Sequence, residues 1–243
     1  MKNTFIIFFL FISSAFSQNF GGNIAVIGQF PQGEFKDEGV GTGLGLDLNI
    51  AWYPLDKISW GLNFGGSEYG SSKRKIPFNF FSDLIFFSEK TTNDIMHGHF
   101  FLRLIPFNGD IRPYFEGLIG MKNLSTSTKL YNDVCVDNLD TVHNDCKIAS
   151  STHASDNSLS YGVGGGLELT LTQIEGKHHT FKKGVWSFFV SARYLLGSKT
   201  KYLKEGAIVF TNPEDGPVQT TFNWSASKTD LLQINIGLQF DIE

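Results

Sequence analysis

The chain has 243 residues, with 20 Lys and Arg against 24 Asp and Glu, so its formal net charge is −4. This mildly acidic balance argues against nucleic acid as a partner, since the chain has no overall basic field to attract phosphates. Charged residues are only 18% of the chain, and its mean hydropathy of −0.08 excludes several membrane-spanning helices but not a membrane β-barrel, in which apolar and polar residues alternate.

The N-terminal segment has the pattern of a secretory signal peptide. A positive start precedes the short apolar run Phe5–Ile12, and the small residues Ala15 and Ser17 stand before the predicted cleavage after Ser17. The apolar run is far shorter than the roughly 18 residues that a spanning helix needs. We therefore expect residues 1–17 to be removed on export and residues 18–243 to form the mature domain.

Alternation of apolar and polar residues predicts β-strands through most of the mature chain. It is clearest near the end, where Leu232, Ile234 and Ile236 alternate with Gln233 and Asn235. Successive side chains of a strand point to opposite faces, so such a strand has one apolar face and one polar face. In chain order, the pattern predicts strands over 20–30, 40–52, 58–65, 95–105, 111–122, 159–171, 186–196 and 232–242.

Short and long connections mostly alternate between these strands. Residues 54–57 form one short connection, and the connection 106–110 contains the tight-turn pair Asn-Gly. Three connections are long, near 70–93, 123–157 and 198–228. Outer-membrane barrels have short periplasmic turns and longer extracellular loops, so this rhythm favours such a barrel over a soluble sandwich.

The even number of strands predicts an all-β fold, an eight-stranded antiparallel up-and-down transmembrane β-barrel. Alternation also runs through 202–210 and 218–224, within the last long connection. We expect a protruding hairpin there, with residues 212–216 at its tip. A ten-stranded barrel is the competing interpretation of the same segment.

The two cysteines, Cys135 and Cys146, lie in one of the long polar connections. Export places them in an oxidising compartment, where they could form a disulfide that closes this loop. Two free thiols or a metal pair is the alternative, although no histidines stand at zinc-finger spacing.

The apolar phase of the strands carries aromatic residues near the short-turn end of the predicted barrel. Aromatic rings favour the depth of a membrane interface because they are amphipathic, and the short turns make this the periplasmic interface. The predicted interface ring consists of Phe20, Trp52, Trp60, Phe115, Trp186 and Phe240.

The opposite phase is small and polar, which suits the narrow interior of an eight-stranded barrel. Its glycines are Gly41, Gly43, Gly45, Gly61, Gly162, Gly164 and Gly166. Its charges are tolerable only when they are paired. The predicted lumen charges are Asp47, Arg103, Arg112, Glu116, Lys122, Glu168 and Arg193. We favour a plug of ion pairs; the alternative is a gate whose pairs exchange partners and pass ions.

The sequence resembles the small eight-stranded outer-membrane barrels of Gram-negative bacteria, the OmpA-like or OmpX-like transmembrane domains. The resemblance depends on the signal peptide, the strand rhythm, the strand Pro113–Gly120 and the alternating terminal strand with Phe240. It covers nearly the whole mature chain, although Phe240 is not the final residue, whereas an aromatic often ends such barrels. It implies an outer-membrane location, contact with outer-membrane lipid and assembly by the barrel-insertion machinery.

The sequence predicts no catalytic set, no metal site and no cofactor. His97 and His99 share one face of a strand, as two ligands of one metal would, but no third ligand is fixed and we favour polar lumen positions. The glycine-rich segments stand inside strands and lack the strand, turn and helix order of a phosphate-binding loop.

We therefore expect a non-enzymatic envelope protein with a structural or surface-interaction role, whose long loops meet an extracellular or envelope protein partner. A narrow, porin-like channel for ions or small solutes is the alternative. An outer-membrane lipid-modifying enzyme is the second alternative, because some small barrels use His with Ser or Asp for that chemistry, although no spacing here singles out such a set.

Overall fold

A computed structural model of the chain describes residues 19–80, 83–132, 147–175, 183–211 and 219–242. The predicted signal peptide, Cys135, Cys146 and the predicted hairpin tip lie outside the described residues. Their assignments stay predictions.

The described residues consist almost entirely of strands. The exception is a five-residue helix, α1 (Gly33–Asp37), and no helix in these ranges is long and apolar enough to cross a membrane. The strands are β1 (Asn19–Pro31), β2 (Gly43–Leu55), β3 (Ile58–Phe80), β4 (Asp83–Leu104), β5 (Ile111–Asn132), β6 (Lys147–Glu175), β7 (Lys183–Gly197), β8 (Lys199–Thr211), β9 (Gln219–Lys228) and β10 (Leu231–Ile242).

Eight strands close into one antiparallel barrel, in the order β1, β10, β7, β6, β5, β4, β3, β2 and back to β1. β1 closes the ring, because Ile24 lies opposite Leu238 on one side and opposite Leu48 on the other. The predicted eight-stranded up-and-down barrel is confirmed. The ten-stranded alternative is wrong, since β8 and β9 pair as a separate hairpin over the end of the barrel.

Four strands continue beyond the barrel wall as a protruding sheet. β3 pairs with β4 as far as Phe80 opposite Asp83, and β5 pairs with β6 as far as Tyr131 opposite Lys147. We call this part of β3 to β6 the extension. The predicted loops near 70–93 and 123–157 are therefore largely strand within the described residues. Apolar alternation does not reveal them, because polar residues occupy both faces of much of the extension.

The start of the second strand also differs from the prediction. β2 begins at Gly43, and Gly41, predicted to point into the lumen, precedes it and is exposed. The reason is the short helix α1 and the turn after it, where Gly39 has a φ of 77°. A residue without a side chain adopts this left-handed conformation at little cost.

The barrel wall is apolar outside and polar inside. On β5, Ile119 and Met121 are exposed to the surroundings of the barrel, whereas Glu116 and Lys122 are buried in the lumen. The other barrel strands mostly follow the same rule, with buried Asn, Gln, Ser and charged residues on the inner phase beside a few apolar side chains such as Ile27, Phe101 and Phe189. This is the reverse of the distribution in a soluble protein.

Candidate functional site

The inner face of the barrel brings most of the predicted charges into one connected column. At its centre, Arg103 on β4 lies between two carboxylates, with Nη2 3.0 Å from Glu116 Oε2 and Nη1 2.9 Å from Glu168 Oε1. Its guanidinium also lies 4.0 Å from the centre of the Tyr114 ring, a cation–π contact. All four side chains are buried.

Arg193 on β7 extends the column in one direction. Its Nε donates to Glu116 Oε1 at 2.6 Å, and its Nη1 donates to Asp47 Oδ2 at 2.9 Å. The second oxygen of Asp47 lies 2.9 Å from His97 Nε2. Glu116 therefore holds two arginines at once, one through each oxygen.

Arg112 extends the column towards the short-turn end of the barrel. Its Nη2 lies 3.1 Å from Glu168 Oε2 and 3.4 Å from Asp241 Oδ2. Tyr53 donates its hydroxyl to Asp241 Oδ1 at 2.9 Å. The Arg112 side chain is partly exposed, and it lines a cavity of about 330 Å³ at this end of the barrel.

These contacts form an unbroken chain of alternating acidic and basic groups. We call it the lumen network, and its members in order are Asp241, Arg112, Glu168, Arg103, Glu116, Arg193, Asp47 and His97. It joins strands that are far apart in the sequence, including β2, β4, β7 and β10. Breaking one contact leaves a buried charge without its partner, which is the costly change in such networks.

The structure brings together six of the seven predicted lumen charges. Lys122 is buried but lies apart, and its Nζ donates to the backbone oxygen of Thr229. Asp241 and His97 are members that the predicted charge set lacks. Sequence could have indicated both, because Asp241 lies on the polar phase of the clearest predicted strand and His97 shares a face with Arg103.

Glycines on the inner face make room for these large side chains. A Cβ on Gly164 would lie 2.8 Å from Arg193 Cγ, and a Cβ on Gly65 would lie 2.5 Å from Asp47 Oδ1. These distances are shorter than van der Waals contact, so larger residues here would displace the network. The glycine-rich strands thus belong to the packing of a narrow lumen.

The second histidine is bound by neutral groups. His99 has Nε2 2.8 Å from Ser160 Oγ and Nδ1 3.3 Å from Asn63 Oδ1. The rings of His97 and His99 lie 5.3 Å apart. The described ranges contain no group of three or more His, Cys, Asp or Glu side chains placed to hold a metal ion.

The opposite end of the barrel is covered by α1 and the β8–β9 hairpin. The Phe35 ring of α1 lies 5.1 Å from the Tyr202 ring and 6.3 Å from the Tyr69 ring. Ile95 and Leu124 are buried in the same cluster, and we call these five residues the mouth cluster. The mouth cluster closes this end of the barrel with apolar side chains, whereas the lumen below it contains the charged groups.

Polar contacts attach the hairpin to its surroundings. Lys204 Nζ donates to Glu38 Oε2 at 3.0 Å, and this ammonium lowers the pKa of Glu38. The backbone N–H of Lys201 donates to Asp156 Oδ2 at 2.9 Å and lowers the pKa of that carboxyl. Both attachments are therefore stronger when the carboxylates are ionised.

The predicted interface aromatics lie on the outer face near the short-turn end. Trp52 contacts Phe20 and Trp60 with ring centres 5.8 and 5.2 Å apart, and Trp186 lies 4.9 Å from Phe240. Phe115 is exposed on the same face of β5. Five of the six residues lie on strands that are neighbours around the barrel, β7, β10, β1, β2 and β3, and Phe115 lies on β5.

Comparison with known proteins identifies neither a family nor a curated relative. No protein-family model matches the chain, and no curated protein matches it. Solved structures that resemble it include the neisserial surface protein A, at 8% identity over 93% of this chain and 96% of that chain, with a TM-score of 0.36. The N-terminal β-barrel domain of Pseudomonas aeruginosa OprF matches at 12% identity over 91% and 96%, with a TM-score of 0.30. Ail, the attachment invasion locus protein of Yersinia pestis, matches at 13% identity over 92% and 97%, with a TM-score of 0.31.

Proposed function

We propose that the protein is a non-enzymatic outer-membrane β-barrel with a sealed lumen and a structural or surface-interaction role in the cell envelope. The observation that carries this proposal is the reversed polarity of the barrel, apolar outside and charged inside.

The outer face has the height of a membrane's apolar layer. Ile111 and Met121 are both exposed on β5. The ten residue-to-residue steps from Ile111 to Met121 span about 34 Å of strand and about 26 Å along the barrel axis at a tilt of ~40°. Outer-membrane barrels have an apolar band of about 25 Å. Soluble monomers rarely expose patches beyond a few hundred Å², whereas this band surrounds the barrel.

Closure of the ring supports the same location. Every barrel strand pairs on both sides, so the wall has no free edge of unpaired backbone groups. A hydrocarbon layer offers no partner for such groups, and closed barrels satisfy this condition. The aromatic residues near the short turns support a periplasmic interface at that end, with the extension and the hairpin outside the cell. Delivery requires the predicted signal peptide and the barrel-insertion machinery.

The lumen network favours a plug over a channel. Arg103, Glu168 and Asp47 are at most 1% exposed. An ion crossing the lumen would have to separate pairs that lie within about 3 Å of each other in a low-dielectric interior, where their attraction is strong. The mouth cluster covers the outer opening as well.

Three side chains in the lumen are arranged like the catalytic residues of a hydrolase, but the likeness is only geometric. Ser160, His99 and Asn63 form a hydroxyl, imidazole and amide series. All three are buried inside the barrel. A nucleophile must reach its substrate, and these groups face a packed lumen. This supports a role in polar packing.

The proposal is tested by expressing the full chain and fractionating the cells. We expect the protein in the outer-membrane fraction, with a different gel mobility before and after boiling in detergent. A soluble periplasmic protein without such a shift would overturn the membrane assignment. Planar-bilayer recording then tests the plug: wild type should show no steady conductance, and Glu116→Ala should open measurable current. Wild-type conductance as large as that of the variant would favour a channel.

A further inference from the structure

The outer face of the extension carries three lysines in direct cross-strand register. Lys73 on β3 lies opposite Lys90 on β4, and Lys90 lies opposite Lys129 on β5. We call these the lysine row. Lys90 on β4 and Lys129 on β5 lie on the same face of their strands as Met96 and Met121, which point outwards. The irregularity between Glu68 and Gly70 shifts β3 so that Lys73 joins the same face.

Such a row is unfavourable without a counter-charge. Like charges directly opposite each other on neighbouring strands destabilise a sheet. Lys90 Nζ lies 3.7 Å from Glu68 Oε2, which is one partner for three ammonium groups. Among the described residues, Lys73 and Lys129 have no carboxylate within ion-pair distance. Asp94, on the same face of β4, adds a longer-range Coulombic interaction with Lys90 and Lys129, so two carboxylates face three ammonium groups and the row keeps a net positive charge.

The rows around the lysines fit an anion with phosphate chemistry. Below the lysine row lies a row of hydroxyls, in which Thr92 Oγ1 and Ser127 Oγ are 3.2 Å apart. The next row above holds Lys75 and Lys147 on the outer strands of the extension. None of these three rows contains a carboxylate at a described position. The hydroxyl row consists of Ser71, Thr92, Ser127 and Thr152, and Ser150 stands beside the three lysines of the lysine row. The row above consists of Lys75, Ser88, Tyr131 and Lys147.

The position of the row points to a lipid. It lies on the face that is continuous with the apolar band, and Lys90 is six residues beyond Met96 on β4. This distance is about 15 Å along the barrel axis at ~3.3 Å per residue and a tilt of ~40°. Phospholipid headgroups occupy only about 5–8 Å of each side of a bilayer. A taller, sugar-based headgroup would bring its phosphates to the lysines.

We propose that the lysine row, with the hydroxyl row beneath it, binds the phosphates of a glycolipid headgroup in the outer leaflet. The proposal rests on the proposed membrane location. It assigns the outer face of the extension to lipid, and it leaves the inner face and the hairpin to other contacts. Neutralisation of the row by phosphates would also stabilise the sheet that carries it.

The test compares two triple variants of the full chain, refolded in a neutral detergent. The first, Lys73→Gln, Lys90→Gln and Lys129→Gln, removes the row; the control, Lys199→Gln, Lys201→Gln and Lys228→Gln, removes the same charge from the hairpin. Native mass spectrometry measures binding of a rough-core lipopolysaccharide with phosphorylated sugars, and of the same lipid after chemical removal of its phosphates. Heat-dependent gel mobility confirms that each sample is a folded barrel.

We expect wild type and the control variant to bind the phosphorylated lipid about tenfold or more tightly than the dephosphorylated lipid, and the row variant to lose this preference. Equal binding by both triple variants, with intact heat-dependent mobility, would overturn the inference and leave the proposed function standing. Equally tight binding of phosphatidylglycerol or of glycerol phosphate would overturn the assignment to a tall lipid headgroup. A chain that never folds in detergent and stays soluble would overturn the proposed function and this inference together.

Discussion

The lumen and the mouth of this barrel solve the same problem, filling a closed space, in opposite ways. The lumen is filled by ion pairs such as Arg103 with Glu116, whereas the mouth is filled by Phe35, Tyr69 and Tyr202. The wall around the lumen faces outwards with apolar residues, but the segments that form the mouth have mostly polar outer surfaces. The difference follows from the surroundings that each region would have in a membrane.

The contrast shows which force specifies each region. At the mouth, apolar side chains leave water when the hairpin packs, so the hydrophobic effect favours closure. In the wall, apolar side chains would remain in contact with lipid, and their burial cannot select one arrangement of the interior. The lumen is instead specified by charges that have few acceptable partners. Substitutions should therefore act by different mechanisms in the two regions.

The largest effect is expected for Glu116→Ala. This change leaves Arg103 and Arg193 without the carboxylate that they share, and removal of one partner from a buried ionic network costs about 3–5 kcal/mol. Urea unfolding in lipid vesicles, followed by heat-dependent gel mobility, measures the loss. Glu205→Ala, on the exposed hairpin, is the control and should change stability by less than ~0.5 kcal/mol. Equal losses in both variants would mean that the network does not specify the lumen.

Phe35→Ala should have a large effect that is confined to the mouth. The fully buried ring contacts Tyr69 and Tyr202, and truncation of a buried Phe costs about 3–5 kcal/mol. We expect the hairpin to become sensitive to protease while the barrel keeps its heat-dependent mobility. Phe107→Ala, at an exposed turn, is the matched control. Loss of the whole barrel fold in Phe35→Ala would show that mouth and wall are one cooperative unit.

The sequence predicts the strands of the barrel wall better than it predicts the contacts inside the lumen or at the mouth. The period of two identifies all eight barrel strands and the inward phase of Arg103, Glu116 and Arg193, because each strand is read on its own. It does not give register between distant strands, so it could not show that Asp241 reaches Arg112 or that Lys122 faces Thr229 instead of a carboxylate. The mouth cluster was not predicted, because it joins α1, the extension and the hairpin.

Gly164→Ala should have an intermediate effect and tests how tightly the network fills the lumen. The added methyl group would lie 2.8 Å from Arg193 Cγ and 2.9 Å from the backbone oxygen of Ala192. Overpacking of this kind costs about 1–3 kcal/mol. Gly117→Ala is the control, since its methyl group would meet nothing within 4 Å. The same urea assay applies, and a lumen that tolerates Gly164→Ala as easily as Gly117→Ala would not be tightly packed.

The smallest effect is the pH dependence of the hairpin. The pKa of Glu38 is lowered from its ordinary value of 4.5 by Lys204, and that of Asp156 is lowered from 3.8 by the Lys201 backbone N–H. A carboxyl with a lowered pKa in the folded state contributes stability above its ordinary pKa, and this contribution is lost as the pH falls through the lowered value. The hairpin should therefore be equally attached from pH 8 to pH 5 and loosen below about pH 4.

Pepsin cleavage of the hairpin between pH 2 and pH 5 measures this loosening, because the enzyme is active in that range. In the double variant Glu38→Gln and Asp156→Asn, both carboxyls are replaced by neutral amides of similar shape. Its cleavage should already be raised at pH 5 and should change less as the pH falls further. If wild type and the double variant loosen in parallel, then groups elsewhere control the response, and the polar attachments contribute less to the mouth than its apolar cluster does.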